Sequence, residues 1–382
     1  MIDAIKSVSN LPDSEPLVTV LMPVCQAERF LAPALLSIVN QSYRNLEILL
    51  IDDGSSDGSL DVVNRFEDPR IILVRDGRSL GVTARLNQGV DLARGKYIAR
   101  MDADDIAAID RIERQLRFME SNAEVSVLGT ATAFIDQFNR VLGAPRRSPF
   151  DDISIKWRLV TSNCIAHPST MLRAHVVREH RYSMDYPVAQ DYELWLRLAA
   201  KGYCLANLPE VLLLNRHHGG AVSTVRRQQQ TELSAKALAV YLKNTLDIDI
   251  DQRLARSLLE PPGVTIGVDG NLGLPIEVLR RVGSLFLDRI DHSSASTIKR
   301  FIESDIVFYA LRSIIRSIDS SARYERRLDF TILKQAVGTV IADPSSTVRQ
   351  SIRYLMDKRS ATAAVQRIIG EARARGKGEF FH

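Results

Sequence analysis

The sequence has few cysteines and no long hydrophobic run, and each absence excludes a class of protein. Its 382 residues include only three cysteines, Cys25, Cys164 and Cys204, and none of them forms a CxxC pair. A disulfide scaffold or a cysteine-rich zinc site is therefore not expected, and a reducing compartment fits best. Apolar runs such as residues 211–214 are far shorter than the roughly 20 residues that cross a bilayer. The first ten residues have no signal-peptide core, so we expect a cytoplasmic protein.

Proline and glycine are also scarce, and common phosphate-binding motifs are missing. The chain has 14 prolines and 20 glycines, with 45% hydrophobic and 25% charged residues. This composition is typical of a soluble globular protein and excludes collagen-like, disordered and low-complexity classes. The sequence contains neither a GxxxxGK[ST] loop nor a GxGxxG run, so its chemistry must depend on other groups.

The net charge of +4 is unevenly distributed along the chain. Residues 349–382 contain eight Lys or Arg and three acidic residues, whereas the rest of the chain is close to neutral. Such a basic tail favours contact with an anionic surface, either lipid headgroups or nucleic acid. A solvated helix face is the alternative interpretation.

Apolar periodicity predicts an α/β domain over residues 17–225, after a polar leader at residues 1–16. Stretches with helical spacing separate the apolar runs, and this alternation predicts a mostly parallel sheet with flanking helices. Residues 226–382 change to helical spacing and predict a mainly helical C-terminal region that includes the basic tail. Four apolar runs have the length of buried strands: residues 18–22, 47–51, 71–74 and 96–101.

Acidic residues follow two of these predicted strands. In open α/β sheets, functional side chains gather beyond the carboxyl ends of the strands. Asp102 and Asp104 are two residues apart, so in an extended chain both project to one side, where they suit Mg²⁺ or Mn²⁺. A helix cap at Asp104 or Asp105 is the alternative. Asp53 could accept an N–H from a base or sugar, and an ordinary turn is its alternative.

Two further candidates lie later in the chain. An apolar helical face begins at Leu194, which places Asp191 at or near the N-terminus of that helix. The helix macrodipole there favours an ionised carboxylate, which can accept a proton, although a plain N-cap is the alternative. His218 lies in a polar run with His217 and could ligate a metal or bind phosphate, or simply belong to a surface loop.

Taken together, residues 17–223 resemble the family 2 glycosyltransferases, which have the nucleotide-sugar-binding GT-A fold. The order and spacing of the motifs carry this resemblance, rather than any one of them. The matching segments are Pro23-Val24, Glu28, residues 36–38, 41–43, 47–48, 52–59, 86–89, 95–105, 111–113, 118–120, 128–130, 167–169 and 191–195.

The resemblance implies a role for each candidate residue. Asp191 would be the catalytic base, and Asp53 would recognise the donor base, usually uracil. A Mn²⁺ or Mg²⁺ ion would bind at Asp102, Asp104 and His218. The residues implied to contact the nucleotide sugar are Pro23, Val24, Glu28, Asp53, Asp102 and Asp104.

The implied activity is inverting, metal-dependent transfer of a sugar to a hydroxyl of a glycan or lipid-linked acceptor, in surface polysaccharide synthesis. The tail would give peripheral contact with the inner face of the cell membrane, and no nucleic-acid partner is expected. Cys25-Gln26 departs from the frequent Tyr-Asn of the family. An inactive homologue that only binds nucleotide sugars or partners is the alternative. Sugar-phosphate nucleotidylyltransferases are disfavoured because residues 22–26 do not match their glycine-rich loop.

Overall fold

The computed structural model describes a mixed α/β sheet with helices on both sides. The residues it describes are 15–146, 148–219, 226–260, 273–288, 298–303, 305, 306 and 309. The strands are β1 (Val18–Val24), β2 (Leu46–Asp52), β3 (Ile71–Val74), β4 (Tyr97–Arg100), β5 (Ile106–Ala107), β6 (Val125–Ile135), β7 (Met171–Arg173) and β8 (Cys204–Arg216). The helices are α1 (Glu28–Val39), α2 (Ser59–Asn64), α3 (Val82–Leu92), α4 (Arg111–Ser121), α5 (Asp152–Leu159), α6 (Ala174–His180), α7 (Gln190–Ala200), α8 (Arg227–Leu246), α9 (Gln252–Leu259) and α10 (Gly273–Leu287).

The eight strands form one sheet in the order β3-β2-β1-β4-β7-β6-β8-β5. The four strands predicted from apolar runs, β1 to β4, pair in parallel, which confirms the predicted α/β fold. Beyond β4 the sheet becomes mixed, because β7 is antiparallel to both β4 and β6 while β6 and β8 are parallel. The short β5 completes the sheet by antiparallel pairing with β8.

The central strands are buried on both faces, which explains why their sequences are almost continuously apolar. Successive side chains of a strand point to opposite faces, so each strand contributes to two apolar layers. In β1, Leu21 packs in the layer that also contains helices α3, α5, α7 and α8. Val20 and Met22 pack in the opposite layer, with α1 and α4. Two cores, one on each face, hold the sheet rigid between them.

The C-terminal helices pack against the first core layer. Helix α8 contacts both α7 and α9, in agreement with the predicted helical C-terminal region. The indole N–H of Trp157 in α5 donates to Asp305 Oδ2 at 3.0 Å, and Arg158 Nη2 lies 2.5 Å from Asp305 Oδ1. Burial raises the pKa of Asp305 above its ordinary value, while these two donors favour its charged form. This acidic side chain therefore fastens the C-terminal part of the chain to α5.

Two predicted segments lie outside the described residues. They are most of the leader, up to residue 14, and the basic tail at residues 349–382. The predicted boundary near residue 225 also falls in a segment that is not described, so it stays a prediction. Among the described helices, none combines the length and the apolar character needed to cross a bilayer.

Candidate active site

The carboxyl ends of β1, β2 and β4 meet at one edge of the sheet. Val24 pairs with Asp52 across β1 and β2, and the backbone N–H of Asp53 donates to the Val24 carbonyl at 2.8 Å. On the other side of β1, Leu21 pairs with Arg100, two residues before Asp102. The parallel arrangement therefore brings the two acidic segments to the same edge, as the strand-end argument predicts.

Asp53 is almost completely buried, and donors from a neighbouring loop and helix hold its carboxylate. Its Oδ1 accepts from the Leu80 N–H at 2.6 Å, the Gly81 N–H at 3.1 Å and Arg85 Nε at 2.9 Å. Its Oδ2 accepts from the Ser79 hydroxyl at 3.3 Å and from the same Gly81 N–H at 3.1 Å. These contacts use the acceptor positions that a carboxylate offers, so a ligand that bonds to Asp53 would have to replace one of them, and the long Ser79 contact is the weakest.

Arg85 is a site residue that the sequence analysis missed. Its guanidinium is fully buried and pairs with Asp53 and with Asp76 Oδ1, the latter at 2.7 Å. A buried charge is costly unless it is paired, so Arg85 fixes both carboxylates. Gly54 has a φ of +73°, and a Cβ atom there would lie 3.0 Å from the backbone of Arg78, so this close approach requires glycine.

Glu28 lies at the start of α1 and supports the turn that follows Asp53. Its carboxylate accepts from the Gly58 N–H at 3.0 Å, and its own N–H donates to Asp57 Oδ2 at 3.0 Å. Gln26, with a φ of +48°, adds further contacts, since its Oε1 accepts from the N–H groups of Ser56 and Asp57 at 3.2 Å. These bonds clamp the β1–α1 loop to the turn, whereas direct contact of Glu28 with a donor stays a prediction.

Two further residues that the resemblance implies to contact the donor lie on β1, beside this clamp. Val24 is buried and Pro23 is half-buried at the end of the strand. The Cys25 thiol, next in the chain, is 3.8 Å from the Asp53 carbonyl oxygen. Burial and the negative charge of Asp53 raise the pKa of the Cys25 thiol. A neutral thiol therefore replaces the aromatic ring that is frequent at this position of the family.

Three carboxylates come together just beyond β4. The side-chain oxygens of Asp102, Asp104 and Asp105 lie within 4.8 Å of one another. His218 Nε2 is 2.9 Å from Asp104 Oδ2. The segment that follows β8 therefore places one predicted metal ligand, the His218 imidazole, beside another, the Asp104 carboxylate. Burial and the charge of Asp102 raise the pKa of Asp104, while His218 opposes this shift.

Asp105 was not predicted as a site residue, yet it anchors this cluster. It is fully buried and accepts from the Arg216 N–H at 2.8 Å and from Asn215 Nδ2 at 3.0 Å. Burial and its acidic neighbours raise its pKa well above the ordinary value. The suggested helix cap is wrong for both Asp104 and Asp105, because α4 begins at Arg111 and its N-cap residue is Asp110.

The donor set fits a hard divalent cation. Carboxylate oxygens, with one imidazole, are the ligands that Mg²⁺ and Mn²⁺ accept in proteins. Asp102 and Asp104 are both partly exposed, so their oxygens can reach a ligand, whereas Asp105 is used internally. Placing carboxylates this close raises the free energy of the ionised cluster, and a cation would lower it. The residues present therefore match the predicted metal site.

Asp191 lies in the first turn of α7 and is partly exposed. The suggested N-cap interpretation is wrong, because the N-cap residue is Ala189 and no side chain caps this helix. Asn163 Nδ2 donates to Asp191 Oδ2 at 2.8 Å. Burial raises the pKa of Asp191, and the bond from Asn163 and the charge of Arg100 oppose the shift. Asp191 is therefore a stronger proton acceptor than an ordinary aspartate.

Arg100 connects the two parts of the site and was also missed by the sequence analysis. It is 5% exposed, and its Nη2 lies 2.5 Å from Asp102 Oδ1.

His167 is buried with its Nε2 2.9 Å from the Tyr182 hydroxyl. Burial and the charge of Arg100 lower the pKa of His167 well below its ordinary value, so this histidine is neutral. His167 therefore belongs to the protein interior.

Comparisons with known proteins agree with this geometry. The family model described as "Glycosyl transferase family 2" matches residues 19–180. An uncharacterised glycosyltransferase of Haemophilus influenzae is 35% identical over 259 residues, which are 64% of this chain and 80% of that protein. The Escherichia coli protein named UDP-Glc:alpha-D-GlcNAc-diphosphoundecaprenol beta-1,3-glucosyltransferase WfaP is 28% identical over 207 residues, 54% of this chain and 80% of its own.

A solved structure shares the fold at low sequence identity. The mannosyltransferase PcManGT of Pyrobaculum calidifontis, in complex with GDP-Man and Mn²⁺, aligns with a TM-score of 0.51 and 17% identity. The alignment covers 96% of this chain and 90% of that chain. The sheet with its flanking helices is thus the GT-A architecture.

Proposed function

This chain belongs to the family 2 glycosyltransferases, and we propose that it transfers a sugar with inversion from a nucleoside-diphosphate sugar to a hydroxyl of a glycan or lipid-linked acceptor. The observation that carries the proposal is that Asp53 and the Asp102–Asp104 cluster follow strands that meet at one edge of the sheet, while the charge of Arg100, which pairs with Asp102, also acts on Asp191. The proposed donor is a UDP-sugar, and the proposed pathway is surface polysaccharide synthesis.

Asp53 recognises the base of the donor. Its Oδ1 is held by the loop at residues 79–81 and by Arg85, which fixes the direction of the carboxylate. Its Oδ2 would accept the imide N–H of uracil in place of the long contact from the Ser79 hydroxyl, beside the β1 residues Pro23 and Val24. Because the carboxylate already points in this direction before the ligand binds, little free energy is lost in reorienting it on binding.

Asp102, Asp104 and His218 would hold Mn²⁺ or Mg²⁺, and Asp105 would support them through its bonds to Asn215 and Arg216. When bound, such an ion neutralises the charge that develops on the departing nucleoside diphosphate. Arg100 holds Asp102 in place and adds a second positive charge at the same end of the site. The Mn²⁺ present in the PcManGT structure supports this assignment.

Asp191 acts as the base. It takes the proton from the acceptor hydroxyl while that oxygen forms a bond to the anomeric carbon, and the bond from this carbon to the diphosphate oxygen breaks. A single displacement of this kind inverts the configuration at the anomeric carbon. Because burial raises the pKa of Asp191, its carboxylate binds the transferred proton better than an exposed aspartate would.

The substrate proposal rests on what the relatives are named for. WfaP is named for UDP-Glc and a diphosphoundecaprenol-linked acceptor, and two further relatives are named for teichuronic acid and amylovoran biosynthesis. PcManGT was solved with GDP-Man, so members of the fold bind more than one nucleotide. A UDP-sugar is proposed here because WfaP is named for UDP-Glc, and the Asp53 carboxylate would accept the imide N–H of uracil.

A panel of nucleotide sugars tests the proposed function. The full chain is incubated with Mn²⁺ and each donor in turn, with and without lipid-linked glycan acceptors, and release of nucleoside diphosphate is measured. We expect one donor to give release that rises with acceptor, and the same preparation with EDTA as the control to give none. Binding of donors without release from any of them would instead support the inactive homologue.

The basic tail supports a separate prediction about membrane contact. Deleting residues 349–382 should lower binding of the protein to vesicles that contain anionic lipid, and the loss should be larger at low salt. The reason is the excess of Lys and Arg in this segment, since each contributes about 1 kcal/mol near such a surface. Co-sedimentation measures the effect, and zwitterionic vesicles are the control. Equal sedimentation of the full and truncated chains with anionic vesicles would exclude this role.

A further inference from the structure

The hydrogen bond from Asn163 to Asp191 assigns a function to a residue outside the family motifs discussed above. We propose that Asn163 is a positioning residue that aims the Asp191 carboxylate at the acceptor hydroxyl and favours its ionised form. The inference rests on the proposed role of Asp191 as the base. Its starting observation is the 2.8 Å contact from Asn163 Nδ2 to Asp191 Oδ2, which joins two segments 28 residues apart.

The segment that carries Asn163 is fixed on both sides of this contact, against α7 before it and against α5 after it. The hydroxyl of Tyr192, the residue after Asp191, donates to the carbonyl of Leu159 at the end of α5. Cys164, the residue after Asn163, is buried, and its thiol lies 3.7 Å from the Ile155 carbonyl. Asn163 is therefore held by its neighbours, so its amide can hold the carboxylate in one direction.

Only the Nδ2 end of the Asn163 side-chain amide has a hydrogen-bond partner in the described structure. Its Oδ1 is buried without a hydrogen-bond partner in the described structure. Reversing the amide would turn this oxygen toward the Asp191 carboxylate, and two acceptors would then repel each other. A buried acceptor without a partner lowers stability, so an apolar side chain would serve packing better here. An unsatisfied amide beside a candidate base is the pattern expected when a polar residue is kept for function.

Asn163 is one of the groups that lower the pKa of Asp191. Burial raises the pKa of Asp191, whereas the backbone N–H of Tyr192, the amide of Asn163 and the charge of Arg100 lower it. Removing the amide should therefore raise this pKa further. The charged and titratable side chains on the elements packed around Asp191 include Arg100 on β4, His167 and Tyr182 in the preceding loops, Arg158 on α5, Lys236 on α8, and Glu193 and Arg197 on α7 itself.

Two variants of the full chain test the inference, Asn163→Ala and Asn163→Asp. Loss of one bond to the ionised carboxylate should move the acid limb of the kcat profile to higher pH by roughly one unit. Asn163→Asp has the same shape but adds a like charge, so its shift should be larger. At the pH plateau, kcat should fall about 10-fold or more through poorer orientation, with the donor KM within a few-fold of wild type. Carboxyl ¹³C NMR should report the same pKa change directly, with the Asp191 signal identified by its absence in Asp191→Asn.

Asn122→Ala is the matched control, because this half-buried amide donates one bond of 2.8 Å to the Phe118 carbonyl, far from any carboxylate of the site. Its pH profile should equal that of wild type. An unchanged Asp191 titration in both Asn163 variants, or unchanged kcat profiles with an active wild type, would overturn the inference. If wild type releases no nucleoside diphosphate but the NMR shift occurs, the proposed function fails while the coupling of Asn163 to Asp191 stands.

Discussion

Asp191→Asn should lower turnover by about 10²- to 10⁴-fold, the range that general-base catalysis contributes, and leave donor affinity within a few-fold of wild type. Asparagine has nearly the same size as aspartate but cannot take the proton from the acceptor hydroxyl. The predicted metal-binding cluster and Asp53 lie at the ends of β4 and β2, on other elements than α7, so donor binding should be preserved. The measurements are transfer rate, donor affinity and melting temperature on one preparation.

Glu193→Gln is the matched control for this substitution. Glu193 is also an acidic residue of the first turn of α7, but it pairs with Arg197 at 2.6 Å instead of with Asn163. Removing its charge should change stability slightly and turnover little. Because Ala189 occupies the N-cap position, a capping effect cannot explain a large loss of turnover in Asp191→Asn. Near-normal turnover would show that another group is the base, although membership of the family would be unaffected.

The parts of this molecule that sequence predicts well are those with local signals. The strands β1 to β4 are short apolar runs bounded by polar turns, and their carboxyl ends follow directly from the order of the elements. Asp53, Asp102 and Asp104 could therefore be placed at one edge before any contact was known. By contrast, β7 has three residues, too few for a period, so the mixed half of the sheet beyond β4 was not predicted.

The supporting residues of the site could not be predicted in the same way. Arg85, Arg100 and Asp105 are buried, and a buried charge is tolerated only where partners satisfy it. For Arg85 and Asp105 these partners include residues distant in sequence, whereas Arg100 pairs with Asp102 two residues later. Asp105, for example, is satisfied by Asn215 and Arg216 of β8, about 110 residues later in the chain. Only the fold shows that these residues meet. One sequence signal could have indicated these residues: a charged residue at a position where the surrounding apolar pattern predicts burial.

Asp104→Ala should abolish the Mn²⁺-dependent part of donor binding, and Asp102→Ala should weaken it severely. Each substitution removes a hard oxygen ligand, and Asp104→Ala also removes the carboxylate that holds His218 at 2.9 Å. Asp102→Ala additionally leaves the buried guanidinium of Arg100 without its carboxylate partner, so this variant should also melt at a lower temperature. Calorimetric titration of a nucleotide sugar, with and without Mn²⁺, measures the binding.

The control for these titrations is Asp110→Ala, which removes an acidic residue of the following loop that pairs with Arg114 at 2.7 Å. Its donor affinity should rise with Mn²⁺ as in wild type. The comparison separates loss of a ligand from loss of negative charge, because all three variants change the net charge equally. If Asp104→Ala keeps the Mn²⁺-dependent affinity of wild type, the cluster does not hold the cation. Its carboxylates would then serve only to fix β8 and the loop after β4 to each other, through the bonds that Asp105 makes to Asn215 and Arg216.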